Sequence, residues 1–256
     1  MRAFSLVLLM AALAVLPAVG AHAEEPPSLA GTWARYVVST ATAVVPIVGT
    51  VTNASQALVL LRLTQSGVNL ELKETVCAVR VASSSTLVKT VLPKAFARAV
   101  SNNDRTARLF QDAAGHWTYH EPTHKAVWGA KLVKSDTDAL PTDVHDARVF
   151  DGDGDGKPGL TIRLVGALDG EMYVVQRGTS EFTSHLQSGP KVDRIDGQLV
   201  WSNEQKVLSA TSILLKSPPK ASQHPDPKKS YFRSVRVPAG TTCTALLKQP
   251  PKFAAQ

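Results

Sequence analysis

Between Ser135 and Gly156 the chain carries seven aspartates, Asp136, Asp138, Asp143, Asp146, Asp151, Asp153 and Asp155, against one arginine, Arg148, in a sequence whose net charge is +7. The last three alternate with glycine in Asp151-Gly152-Asp153-Gly154-Asp155-Gly156. Carboxylates so close repel one another until a cation neutralises them, and glycine at 156 permits the sharp backbone turn that lets them converge on one hard ion. Flexible oxygen coordination suits calcium better than magnesium. The expected cofactor is therefore calcium on Asp151, Asp153 and Asp155, with Asp146, Asp143 or Glu171 nearest to complete the set. The competing reading is a bare Asp-Gly turn, since Asp-Gly is also the chemistry of tight hairpins. Gly154-x-Gly156-x-x-Gly159 has the spacing of a dinucleotide fingerprint, but the aspartates around it would repel a pyrophosphate and no helix pattern follows. Gly156-Lys157 is followed by Pro158 where a phosphate-binding loop needs Ser or Thr to hold magnesium.

His116, His120 and His124 recur every four residues beside Glu121. On a helix they would line one face, but Pro122 opposes that helix; on a strand His116 and His120 would still share a face, which leaves a weaker metal-site reading. The chain has no Gly-x-Ser-x-Gly elbow and no His-Glu-x-x-His pair, so no catalytic residue is assigned. Cys77 and Cys243 are the only cysteines. In an exported chain two distant cysteines read as a disulfide, here one tying an early strand to the last.

Export is expected from the start of the sequence. Arg2 precedes an apolar run from Phe4 to Val19, and Ala21-His22-Ala23 fits the small-x-small cleavage rule, so residues 1–23 read as a signal peptide. That run is short of the ~20 apolar residues of a spanning helix, and no later stretch approaches that length, so no transmembrane anchor is expected after processing. The chain is expected to be secreted or periplasmic. Residues 24–256 read as one β domain, with an acidic loop at 135–159 and a Pro/Lys-rich loop at 217–230. The positive charge is modest and aromatics are few, which does not imply nucleic acid.

The elements that must position the aspartates read as strands. Val68, Leu70 and Leu72 alternate with Asn69, Glu71 and Lys73, and β-branched runs recur at Tyr36–Val38, Leu58–Leu63 and Val76–Val81. Further strands are expected at 126–133, 160–165, 172–176, 198–201, 207–215, 231–237 and 241–247, several separated by turns such as Asp169-Gly170 and Asp196-Gly197. The clearest helix is Lys94–Val100, opened by Pro93. Pro218, Pro219, Pro225 and Pro227 keep the 217–230 loop out of a sheet. The fold class expected is all-β, an antiparallel barrel in preference to a sandwich.

Asp151, Asp153, Asp155 and Gly156 resemble positions one, three, five and six of an EF-hand loop, but Ile162 stands where that family has its bidentate Glu. Gly31-Thr32-Trp33 resembles the Gly-x-Trp that opens the barrel of lipocalins and other calycins. That resemblance implies an enlarged calycin-like barrel in which Trp33 plugs one end beneath Arg233 or Arg236, and a cup for a small apolar ligand. Over its length the chain is similar to a group of uncharacterised exported bacterial proteins with an early Gly-Thr-Trp, two cysteines and an Asp-rich loop running into Pro158-Gly159-Leu160-Thr161. The leading functional expectation is a calcium-stabilised barrel binding a small apolar ligand outside the cytoplasm. Its alternatives are a structural or interaction module of the envelope without a ligand cavity, and a metal-dependent hydrolase. Lys216, Lys220, Lys228 and Lys229 add an expected contact with an anionic envelope surface.

Overall fold

The computed structural model describes residues 25–45, 49–101, 104–187, 191–218 and 220–253. The signal-peptide segment lies outside the described residues. The strands are β1 (Gly31–Val45), β2 (Gly49–Ser66), β3 (Asn69–Ser83), β4 (Val88–Val91), β5 (Asp104–Gln111), β6 (Trp117–Trp128), β7 (Leu160–Gly166), β8 (Gly170–His185), β9 (Arg194–Ala210), β10 (Ala221–Gln223) and β11 (Tyr231–Val237). Two short helices, α1 (Lys94–Ala99) and α2 (Cys243–Lys248), complete the elements with two 3-10 turns, at Ile213–Leu215 and Pro227–Lys229.

All strands join one antiparallel sheet, and its pairings close a ring. Going round it, β1 pairs β2, then β3, β5, β6, β8, β9 and β11 follow in chain order, and β11 returns to β1. The expected all-β antiparallel barrel is the observed class. Because each ring strand pairs with its neighbours in sequence order, the ring is a meander, the arrangement hairpin connections produce most directly. The strands β4 and β7 form a side arm on β8, and β10 pairs β1 at Ala41–Ala43.

Side chains alternate across a strand, so the inner face of β1 carries Trp33, Arg35 and Val37 in succession. The Trp33 end of the interior is filled by Leu29, Leu61, Leu63, Leu70, Leu72, Leu109 and Ile195, all buried. Above it lies a polar layer of Arg35, Arg105, Tyr119 and Glu121 between the rings of Phe182 and Phe232. Val37, Ala57, Val79 and Trp201 pack against the same core as a third layer. A second core of Phe96, Leu160, Ile162, Met172, Val174 and Leu215 joins α1 to the side arm.

Four expectations change. Residues 241–247 form no strand: Thr242 caps α2, its Oγ1 accepting the Ala245 N–H at 3.3 Å, and both edges of β1 are already taken by β2 and β11. The disulfide is present, with Cα atoms 5.1 Å apart, but it ties β3 to α2 and not to a last strand. The segments 126–133 and 207–215 leave their strands early, at Gly129, whose φ is +77°, and at the turn after Ala210. The loop 217–230 is not wholly outside the sheet, since Ala221–Gln223 form β10, with the described prolines Pro218, Pro225 and Pro227 flanking that short pairing.

Candidate metal centre

The acidic segment leaves β6 through Gly129 and re-enters the sheet at β7, packing Ala130, Leu140 and Val149 against Val127, Val175 and Leu208. That apolar seam fixes both ends of the Asp loop. Gly159 sits where any Cβ would lie 2.3 Å from the Val174 carbonyl oxygen, and its φ is +79°, so the loop closes against β8 only with glycine there. Asp151 bridges to Gly159, whose carbonyl accepts the Gly152 N–H at 2.7 Å.

Within this frame one carboxylate oxygen from each of Asp151, Asp153 and Asp155 lies within 4.8 Å of the others, the only such acidic or His/Cys group of three among the described residues. Asp151 organises the turn: its Oδ1 accepts the N–H groups of Gly154 at 2.7 Å and Asp155 at 3.2 Å, and its Oδ2 that of Gly156 at 2.8 Å. Asp155 accepts the Lys157 N–H at 2.9 Å and the Thr161 hydroxyl at 2.6 Å. Asp153 reaches inward and is 6 % exposed; its Oδ2 accepts the Thr161 N–H at 3.0 Å, whereas its Oδ1 is buried and has no donor.

Asp151 and Asp153 titrate in opposite directions. Burial works to raise Asp151, but the N–H groups of Gly156, Gly154 and Asp155 outweigh it and hold the carboxyl below the usual range. For Asp153 burial dominates, and the charges of Asp155 and Asp151 add to it, so its carboxyl is pushed up despite the Thr161 N–H. Three converging carboxylates, one with a buried oxygen that lacks a donor, are what a hard cation would complete, and oxygen-only donors fit calcium. Thr161, at the start of β7, holds two of the three aspartates. Sequence reading missed it, although Thr161 stands directly after the loop on the first strand residues.

The other expected ligands are placed elsewhere. Asp146 is taken by Arg148 through contacts of 2.9 and 2.7 Å, which lower its carboxyl to about 2. Asp143 accepts the His145 N–H, and Glu171 the Tyr173 hydroxyl. Asp136 pairs with Lys125 at 2.7 Å, and Asp138 accepts the Lys134 N–H. The aspartates thus divide into three that converge and four that close turns or pair with cations. The histidines do not converge: His116 faces Asp112, His120 faces Glu181 at 3.2 Å, and His124 is held below its ordinary range first by burial and then by Arg105.

Trp33 is fully buried, and the arginine over its ring is Arg236, 4.5 Å from the centroid, not Arg233. Register explains the difference, because Arg236 is paired with Trp33 whereas Arg233 is paired with Tyr36, stacks on Tyr231 and donates to the Phe253 carbonyl. Arg236 also donates to the carbonyls of Ser28, Ala30 and Val192, which closes this end of the barrel.

The interior polar layer was not anticipated. Glu121 contacts Arg35 at 2.5 Å and Arg105 at 2.8 Å and accepts the Tyr119 hydroxyl at 2.6 Å. Arg35 also donates to Ser234 and Tyr119, and Arg105 to Ser180. Its signal was inward parity: Arg35 shares a face with Trp33, Arg105 with Ala107, and Glu121 with Tyr119. Arg35, Arg105 and Glu121 are each engaged by another side chain, and the Glu74 carboxyl beside them is pushed up by burial against the opposing charges of Arg105 and Arg35. A shallow groove of about 460 Å³ lies on the outer surface between β3, β5 and β6, lined in part by Glu71, Arg108, Phe110, His120 and Pro122.

No family model, curated protein or solved structure matches the chain.

Proposed function

We propose that this chain is a calcium-loaded, disulfide-stapled barrel exported to the periplasm or cell exterior, where it serves as an interaction module of the envelope. The observation that carries the reading is the convergence of one oxygen each from Asp151, Asp153 and Asp155 within 4.8 Å, with the Asp153 Oδ1 buried and without a donor. Calcium there supplies positive charge to three carboxylates at once, and through Asp153 and Asp155 the loop then holds Thr161 at the start of β7. A long-range disulfide is characteristic of chains that mature in an oxidising compartment. No helix among the described residues is long and apolar enough to cross a membrane.

The layered interior favours a module over a carrier of small apolar ligands. Layers built on Trp33 and on Arg35–Glu121–Arg105 occupy the interior with the protein's own side chains, and the partly buried Val37 and Trp201 pack against them, one of the two ways a small closed barrel is completed. The ring is a meander with Arg236 over Trp33 at one end, and that end is plugged.

Titration calorimetry on residues 24–256, after chelation and dialysis, tests the cation. Calcium binding at about one ion per chain, with magnesium much weaker, is the expected result. Equal calcium binding by a variant with Asp151, Asp153 and Asp155 all changed to Ala would remove the site.

A further inference from the structure

The 3-10 turn Ile213–Leu215 exposes two adjacent aliphatic side chains, Ile213 at 79 % and Leu214 at 68 %, while Leu215 between them and the chain beyond is 2 % exposed and inserted in the second core. The turn is held firmly. Ser212 accepts the Leu214 and Leu215 N–H groups, and Thr211 exchanges hydrogen bonds with Glu171 in both directions, at 3.0 and 2.9 Å. On the other flank of the β7–β8 turn Leu87, 56 % exposed, accepts the Ala167 N–H through its carbonyl. One rim of the molecule therefore presents three aliphatic tips on anchored backbone. Lys216 and Lys220 follow the turn, and Lys89 lies on β4 opposite Val165; all three are exposed and none forms an ion pair among the described residues. The acidic groups at this rim are Asp169 and Glu171, and Glu171 is hydrogen-bonded to Tyr173.

Aliphatic tips framed by unpaired lysines match the two-part chemistry of an anionic bilayer, in which the tips enter the headgroup boundary and the lysines meet lipid phosphates. We propose that this rim is a docking surface for an anionic lipid bilayer. The inference rests on the chain being an exported envelope module, for which it names the partner. An anionic polymer would use the lysines alone and has no use for Ile213 and Leu214, so the exposed pair decides for lipid. Lys228 and Lys229, on the separate 3-10 turn Pro227–Lys229, lie outside this surface.

Cosedimentation of residues 24–256, with calcium present, on phosphatidylglycerol/phosphatidylcholine vesicles and on pure phosphatidylcholine vesicles tests it at low and high salt. Binding is expected on the anionic vesicles at low salt. It should fall about tenfold in Ile213→Ser/Leu214→Ser and by up to about fivefold per residue in Lys216→Gln and Lys220→Gln. Lys228→Gln/Lys229→Gln should bind as the parent does. Absence of binding to anionic vesicles, or undiminished binding by the double-serine chain, overturns the proposal; the second result, with loss of binding in the lysine variants, would assign the surface to anionic polymers. The calcium response of each variant's melting temperature is read in parallel. A retained response without vesicle binding rejects the docking surface and leaves the calcium-loaded module standing.

Discussion

Two aspartates seven residues apart, Asp146 and Asp153, show how differently the same side chain is used. Asp153 is buried with one oxygen unengaged, whereas Asp146 is bound by the Arg148 guanidinium and backbone N–H. Alternation of Asp with Gly made Asp151, Asp153 and Asp155 legible, because it forces three carboxylates into one short turn. Asp146 was not legible because its partner is chosen by local turn geometry, nor was the choice between Arg233 and Arg236, because strand register, not distance along the chain, sets which arginine meets Trp33. The Asp146 carboxyl, lowered to about 2 with its hydrogen bonds to Arg148 as the leading cause, has a signed consequence. A carboxyl whose folded pKa is depressed contributes stability that is present above its unfolded value near 3.8 and is lost as pH falls through the folded value. Asp146→Asn should therefore be less stable than the parent at pH 6 and converge with it between about pH 4 and pH 2, while binding calcium as the parent does. Chemical denaturation across that pH range checks the first point, and a loss of calcium affinity in Asp146→Asn would return this residue to the metal centre.

Strands were readable where apolar residues alternate with polar ones, as along β3, and less so where charge points inward. The strands β5 and the first half of β6 were passed over because Arg105 and Glu121 occupy inner positions that the pattern reserves for apolar side chains. The C-terminal segment failed for a different reason: Thr241 to Leu247 is rich enough in β-formers to suggest a strand, yet the Thr242 cap and the closed ring turn it into α2. A helix of six residues is far below the length that is stable by itself in water. Leu246 packed with Ala34 and Leu60, together with the Cys77–Cys243 bond, must hold it. In the chain-entropy model a bridge across 166 residues contributes at most about 5 kcal/mol. Since α2 is not a ring strand, reduction should first release amide protection over 243–248 and lower global stability by up to that amount, leaving the β signature in far-ultraviolet circular dichroism. Hydrogen exchange of the reduced chain reads both effects; full protection of α2 after reduction would mean that Leu246 and its neighbours suffice.

At the scale of the whole molecule, barrel closure was legible from regular strand spacing, but the content of the barrel was not. Charged residues at inward positions break the apolar pattern on β1, β5 and β6, and the bulges after Leu58 and Glu121 further reset parity along β2–β3 and β6–β8. The result is a ring whose middle is cross-linked by ion pairs between β1, β5 and β6 and whose side arm is tied down by the Asp loop. A cation bound there stabilises the fold by mass action, about 2.7 kcal/mol at one hundred times its dissociation constant. For a chain of this size that corresponds to a rise in melting temperature of about 5 to 10 °C. Asp153→Asn removes the buried charge while leaving an oxygen for the Thr161 N–H, so it should respond little to calcium and should melt at or above the parent in chelator. The decisive measurement is the melting temperature of parent and Asp153→Asn, each with calcium and with chelator. A calcium-dependent rise in the parent, nearly absent in the variant, with the order of the two reversed in chelator, is the predicted outcome; a parent that melts at the same temperature in both solutions, or a variant that rises as much, would contradict a calcium-loaded barrel.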